Sequence, residues 1–313
     1  MTIRLMEHSA EPGAGTEKRQ MVFYAPGSRH YDNGLYTNTP RSFVNISVTG
    51  TQCQCRCAHC NGSMLSGMLS AAEPELLLAQ AQKLAAEGCK GILVSGGACR
   101  DGSVPLERFG AALKKVSALG LKVVVHPGLL TTKLADILAD AGVDRVALDL
   151  IGDAATIRQV YHLDKTPEDY RRSLQAARNA GLKTSPHIVI GLHYGEIRGE
   201  YTALDMVAAE GADSLVLVIL KSLPGTDMAQ CPPPDLAKVA AVFQAAREKL
   251  SSLPIALGCA RPAGEYARTA ERYAVDAGFA AIAYPARETV DYVLSRGYSV
   301  AYREVCCGIL TDF

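Results

Sequence analysis

The chain has 313 residues, with 32 basic and 32 acidic side chains, 48% hydrophobic content and 28 glycines. Zero formal net charge argues against a strongly electrostatic grip on nucleic acid, although a local basic patch stays compatible with it. No apolar run reaches the roughly 20 residues needed to cross a bilayer. Ten cysteines, with neither a small-domain framework nor a leading secretory segment, point to a soluble cytoplasmic protein whose thiols stay reduced.

In chain order, residues 1–42 are rich in Gly, Pro, Asn and charge and predict an irregular leader packed across one end of the fold. From residue 43 short β-branched runs alternate with Ala/Leu-rich segments of helical period. The runs are FVNISVTG (43–50), GILVSGG (91–97), LKVVVHPG (121–128), RVALDLIG (145–152), KTSPHIVIGL (183–192), SLVLVIL (214–220), PIALGCA (254–260) and AAIAYPA (280–286). Nearly continuous apolar runs bounded by Gly and Pro are what strands buried on both faces look like. Helical patterns such as Pro74–Glu87, Leu106–Leu119, Thr132–Ala141 and Pro167–Ala180 lie between them. Gly88, Gly120, Gly142, Gly181, Gly211 and Gly278 follow helical stretches, at the left-handed position that ends a helix at low steric cost.

Eight strand–helix units predict one α/β domain, a (βα)8 TIM-type barrel over 43–290, with a cysteine-containing tail over 291–313 closing the barrel mouth. A doubly wound sheet fits less well, because no G-x-G-x-x-G turn follows the first run. Pro232-Pro233-Pro234 starts the helix before the seventh run or forms its connecting loop, and no linker divides the chain.

Four cysteines crowd the segment after the first run: Cys53, Cys55, Cys57 and Cys60. The spacing Cys53-x3-Cys57-x2-Cys60 lets three thiolates converge on one [4Fe–4S] cube and leaves one iron without a protein ligand. Four thiolates also suit zinc, but zinc sites usually separate their ligand pairs by about a dozen residues, which these do not. A barrel carries its active site at the C-terminal strand ends, so polar residues there are candidates. Ser95, Gly96 and Gly97 end the second run; their small size allows close approach of a ligand, and a plain βα turn is the alternative. Asp149 ends the fourth run, where a carboxylate is costly without a partner. His126 and His187, on the third and fifth runs, are either ligand contacts or satisfied buried histidines. Arg198 and Arg261 follow strand ends, where a guanidinium fork suits a carboxylate, surface solvation being the alternative for Arg198.

With this cysteine spacing and the eight βα units together, the chain resembles the radical S-adenosylmethionine (SAM) superfamily. The resemblance implies that Cys53, Cys57 and Cys60 ligate the cluster, with Cys55 a bystander. It implies that the open iron binds the amino and carboxylate groups of SAM, whose cleavage by one electron gives a 5′-deoxyadenosyl radical. An electron donor such as ferredoxin or flavodoxin follows. His59 stands where the family has an aromatic residue, so its ring would pack over the adenine. Ser95, Gly96 and Gly97 resemble the Gly-Gly-Glu element that receives the SAM amino group, with Ala98 in place of the acid. Asp149 would meet the ribose hydroxyls. HIVIGLHYGE (187–196) loosely resembles the Gly-x-Ile-x-Gly-x-x-Glu strand behind the adenine, with His187 for its first Gly and Glu196 two residues late.

Cys259 ends the seventh run, and Cys306 and Cys307 are adjacent in the tail. Neighbouring side chains diverge, so both are not easily inert; with Cys259 they suggest an auxiliary iron–sulfur cluster, buried free thiols being the alternative. Cys99 is a reserve ligand, and Cys89 and Cys231 look structural. LKSLPGT (220–226) and GC-x-RP (258–262) resemble the biotin synthase branch. That likeness implies sulfur insertion, with the auxiliary cluster as sulfide source and Arg261 beside it. His126 and His187 replace cysteines of biotin synthase, so the chain is not expected to be that enzyme. A closer match is a subunit of the archaeal-type two-protein lipoyl synthase, through FYAPG (23–27), ISVTGTQC (46–53), PHIVIGLHYGEIRGEY (186–201), GCARP (258–262) and the CC tail. This implies an octanoyl substrate bound to a lipoyl domain or carrier protein, and a second radical SAM protein as partner. The other readings are a single-cluster enzyme of cofactor biosynthesis with carbon-skeleton or methyl-transfer chemistry, and a non-enzymatic zinc or iron–sulfur scaffold.

Overall fold

The computed structural model describes residues 19–310. Eleven strands form one sheet: β1 (Gln20–Tyr24), β2 (Phe43–Ser47), β3 (Leu69–Ser70), β4 (Gly91–Ser95), β5 (Lys122–Val125), β6 (Arg145–Asp149), β7 (Thr184–Ile190), β8 (Leu215–Ile219), β9 (Ile255–Leu257), β10 (Ala281–Ala283) and β11 (Ser299–Arg303). Their order is β11-β1-β10-β9-β8-β7-β6-β5-β4-β2-β3, and every pairing is parallel. The helices are α1 (Pro74–Ala86), α2 (Gly110–Ser117), α3 (Thr132–Asp140), α4 (Ala154–Val160), α5 (Pro167–Asn179), α6 (Glu200–Glu210), α7 (Leu236–Lys249), α8 (Glu265–Asp276) and α9 (Arg287–Ser295).

Local chemistry sets the helix ends. Thr131, Asp153 and Asp235 accept from the backbone N–H of Leu134, Thr156 and Lys238, which starts α3, α4 and α7; such a cap contributes about 1 kcal/mol. Thr166 and Asp169 form a reciprocal capping box on α5. All six helix-ending glycines have positive φ.

Tyr24 of β1 and Phe43 of β2 lie near opposite ends of the strand order, yet share an inner core with Val124, Ala147, Val216 and Ala256. Only a curled sheet allows that contact. A second, larger core fills the layer between sheet and helices. The eight expected runs each supply one strand, β2 and β4 through β10. Three strands are additional, and β11 and β3 are the two edges among the described residues. The expected irregular leader is a strand in part: Met21, Phe23 and Tyr24 are buried where β1 inserts between β10 and β11. No helix among the described residues is long and apolar enough to cross a membrane.

After β11 the chain turns into the curl. The Tyr24 hydroxyl donates to the Ile309 carbonyl (2.7 Å), and Ser214 Oγ to that of Gly308 (3.2 Å). Ser214 immediately precedes β8, and Ser185, which Gly308 abuts, is the second residue of β7. The tail therefore forms a floor at the N-terminal end of the sheet, where a cover over the mouth was expected. Val305, Cys307 and Ile309 are buried there against the apolar inner wall.

Glu304 anchors this floor, accepting from Lys90 Nζ (2.6 Å), Thr39 N (2.7 Å) and Tyr36 Oη (2.9 Å). Burial alone would raise its pKa, but these donors hold it below the ordinary value. A depressed carboxyl gives stability that is present above its unfolded pKa and lost as pH falls through the folded one. Urea unfolding of wild type and Glu304→Gln is expected to differ most near neutrality and to converge below about pH 4. A gap that persists in acid would mean that the carboxylate is not the anchor.

Candidate active site

The loop after β2 carries the four clustered cysteines, and β4 fixes it from below. Gln54 N donates to the Ala98 carbonyl (2.8 Å), and Gly97 N to Thr49 Oγ1 (2.7 Å). A Cβ at Gly97 would lie 1.9 Å from the Gln52 carbonyl and 2.6 Å from Cys53 Cα. The glycine is thus required by the chain's own packing. The far side of the loop is held by Ala58 N on the Val160 carbonyl (2.8 Å) and by His162 Nδ1 against the Cys55 carbonyl (3.2 Å).

Ligand atoms of Cys57, His59 and Cys60 lie within 4.8 Å of one another. Cys57 lies between the Cys55 and Cys60 sulfurs, and sharing its one thiol proton with them raises its pKa and lowers that of Cys60 to about 4; His59 and the Gly62 N–H assist at Cys60. Cys53 stands beside this group, between Gly62 and Gly97. Cys55 is buried, with Sγ turned onto the Cys99 carbonyl (3.0 Å). His59 Nδ1 is buried without a hydrogen-bond partner, and its ring packs on Tyr161 with centroids 5.1 Å apart. Soft, adjacent, partly ionised sulfurs with an orphaned ring nitrogen are a donor set that fits an iron–sulfur group.

Inside the curl, Asp149 pairs in register with His187, and His126 Nε2 lies 3.4 Å from Asp149 Oδ1. Burial would raise the Asp149 pKa, but His126, with His187 and His59 behind it, holds the carboxyl down at about 2. Burial likewise works against charge on His126, and Asp149 outweighs it, raising the pKa. His187 gains no such partner; burial and the neighbouring His126 lower it to about 4. The rings of His126 and His187 meet edge to face at 6.1 Å. The expected group of His126, Asp149 and His187 is brought together, and Ser95 joins its edge by donating to the His126 carbonyl (2.9 Å).

The tail brings Cys306 and Cys307 to the same interior. Cys259, two residues past β9, keeps an exposed surface, and desolvation together with the neighbouring Cys306 pushes its thiol up. The Cys307 thiol donates to Cys306, raising itself and lowering Cys306, and the Cys259 backbone N–H faces the Cys307 sulfur. Cys99 stays at the first loop, as the acceptor for Cys55.

Arg261 reaches the second thiol group through its charge, which works to lower the Cys259 pKa. Its Nε and Nη2 donate to Glu271 Oε1 (3.0 and 2.6 Å), Nη1 to the Gly258 carbonyl, and Nη2 also to the carbonyls of Ala283 and Tyr284. Glu271, on the buried face of α8, holds the guanidinium in place. Arg198 is also partnered, by His193 Nε2 (3.0 Å) and Asp153 (3.7 Å). Behind β7, Gly191 N donates to Glu200 Oε1 (2.7 Å), so Glu200, not Glu196, is the acid that supports this strand end. Its place at the start of α6 was the signal missed. Leu150, Ile151, Ile188, His193 and Arg198 line a cleft beside it.

Similarity to known proteins agrees with this geometry. A biotin synthase of Synechococcus sp. (strain RCC307) is 28% identical over 231 residues, covering 66% of this chain and 70% of that protein. HydG, a maturase of the [FeFe]-hydrogenase, superposes with a TM-score of 0.63 at 14% identity over 91% of this chain and 65% of that one. A methylornithine synthase superposes with a TM-score of 0.57 at 14% identity, over 84% and 83%. These two structures share the fold. Residues 47–204, half of the chain, match the sequence model of the radical SAM superfamily. A [4Fe–4S] cluster and SAM are therefore implied for the site built on Cys57, His59 and Cys60, and the chain belongs to the radical SAM superfamily.

Proposed function

We propose that the protein inserts sulfur into protein-bound octanoyl groups, as one component of a two-protein lipoyl synthase. The observation that supports this reading is the second thiol group, in which the tail carries Cys306 and Cys307 into the curl toward the exposed Cys259 that follows β9. The similarity to biotin synthases supports it. When bound, the [4Fe–4S] cluster and SAM supply a 5′-deoxyadenosyl radical that removes hydrogen from carbon.

In this reading Cys53, Cys57 and Cys60 hold the cluster, and His59 backs the adenine. Carbonyls near Gly96 and Gly97 receive the SAM ammonium, and Asp149, kept ionised by His126, accepts from the ribose hydroxyls. Cys259, Cys306 and Cys307 hold an auxiliary cluster as sulfur source, and the tail that carries two of them excludes water from the floor. Ferredoxin or flavodoxin would serve as electron donor, a lipoyl domain or carrier protein would present the octanoyl chain, and a second radical SAM protein would complete the synthase. Arg261, held by Glu271, serves in this reading as a fixed positive charge near Cys259.

A single-cluster enzyme of cofactor biosynthesis is the second reading, favoured by the burial of Cys307 among apolar neighbours. Anaerobically reconstituted protein separates the two, with about eight irons per chain expected against about four. In the Cys306→Ala/Cys307→Ala double variant, 5′-deoxyadenosine should still form while thiolation of an octanoyl peptide, read by mass spectrometry in the presence of the partner, stops. Hydrogen abstraction needs the loop site alone, whereas C–S bond formation needs sulfide held near the substrate carbon. Full sulfur insertion by that variant would overturn the proposal.

A further inference from the structure

We infer that His187 Nε2 is the nitrogen ligand of the iron–sulfur site held by Cys259, Cys306 and Cys307. The inference rests on the auxiliary-cluster reading above. The ring's Nδ1 lies 2.9 Å from the Ser185 carbonyl. A carbonyl only accepts, so Nδ1 carries the proton and Nε2 keeps its lone pair. Fixing one ring nitrogen on a backbone carbonyl is the usual way a protein presents the other to a metal. Among the described residues, no hydrogen bond is made to Nε2 of His187.

Position agrees with chemistry. Ser185 and His187 are alternate residues of β7 and face the same side, about 7 Å apart along the strand. Ser185 Oγ lies 3.1 Å from where a Cβ on Gly308 would sit, and Cys306 Sγ lies 3.7 Å from that same point. Gly308 N donates to Cys306 Sγ (3.5 Å). The tail sulfur thus packs near Ser185, two residues before His187 on the same face of β7. His126 is unsuited, because Nε2 faces the Asp149 carboxylate at 3.4 Å and its ring also hydrogen-bonds to its own backbone carbonyl. Three thiolates and one imidazole give each iron of a four-iron cube a protein ligand. Ligation needs no proton loss from the ring, only from the thiols.

The test uses the full chain carrying Cys53→Ala, Cys57→Ala and Cys60→Ala, which removes the loop site. It is reconstituted anaerobically with iron and sulfide, reduced with dithionite and read by pulsed electron paramagnetic resonance. The expected result is strong coupling to nitrogen that changes isotope signature on [15N]histidine labelling. It should vanish with His187→Gln and persist with His126→Gln. His187→Cys should keep the iron and lower the midpoint potential, since imidazole ligation raises it relative to thiolate. A loaded cluster without histidine coupling, or coupling that survives His187→Gln, overturns the inference and leaves the auxiliary cluster standing. Failure of the triple variant to take up iron overturns the auxiliary-cluster reading, and the inference with it.

Discussion

Cys57→Ala is expected to abolish reductive cleavage of SAM, with Cys53→Ala and Cys60→Ala doing the same and Cys55→Ala retaining most of it. Cys57 is the hub of the loop, since its sulfur interacts with both Cys55 and Cys60, and Asn61 N donates back to the Cys57 carbonyl (2.8 Å). Three convergent thiolates hold a cube, and a fourth would occupy the iron that SAM needs. Cys55 is turned onto the Cys99 carbonyl, whereas Cys53 stands at the rim beside Gly62 and Gly97. Liquid chromatography of 5′-deoxyadenosine and iron content per chain measure the outcome. Loss of the cluster in Cys55→Ala, together with its survival in Cys53→Ala, would move the ligand register to Cys55.

Removing Glu271 should cost more stability than any other single side chain discussed above. Arg261 and Glu271 are 8% and 1% exposed, and their pair joins the end of β10 to α8 and the start of α9. Glu271 also accepts from Ala286 N (2.9 Å) and Thr289 Oγ1 (2.5 Å). Glu271→Ala leaves a buried guanidinium without its counter-charge, at a cost of about 3–5 kcal/mol. Because the lone charge is the source of that cost, Arg261→Met/Glu271→Leu should recover much of the loss. Urea denaturation gives both numbers. A loss below about 1 kcal/mol, the size found for exposed pairs, would refute the clamp. Were Arg261 instead a ligand-binding residue, Glu271→Ala would alter turnover at unchanged stability.

The eight inner strands were legible because burial on both faces leaves an unbroken apolar signature in each run. The loop cysteines were legible because their spacing is a local property. What sequence order hides is where distant segments meet. Arg261 lies next to Pro262 and two residues from Cys259, and that proximity suggested the mouth. Its partner Glu271 lies on a helix whose inward face is set only by packing. The tail was expected over the mouth, but its alternating apolar residues match the floor, which forms only when β1, β7 and β8 are already in place in the curled sheet. β1 escaped notice because its five residues sit in a leader otherwise rich in turn formers, and its ladder partners come from the far end of the chain.

That last pairing has a consequence for assembly. Gln20 meets Ser299, and Tyr24 meets Arg303. β1 has no partner until β10 and β11 exist, so its apolar residues wait unpaired while the intervening βα units fold on local contacts. Such a waiting strand is an invitation to intermolecular pairing in a slowly folding chain. The loop thiols, by contrast, need only neighbouring segments and can be ready for iron first. Cys306 and Cys307 arrive with the floor, after the walls around them have formed. On the auxiliary-cluster proposal, metal loading would be ordered in time, outer site before inner, by the connectivity of the sheet.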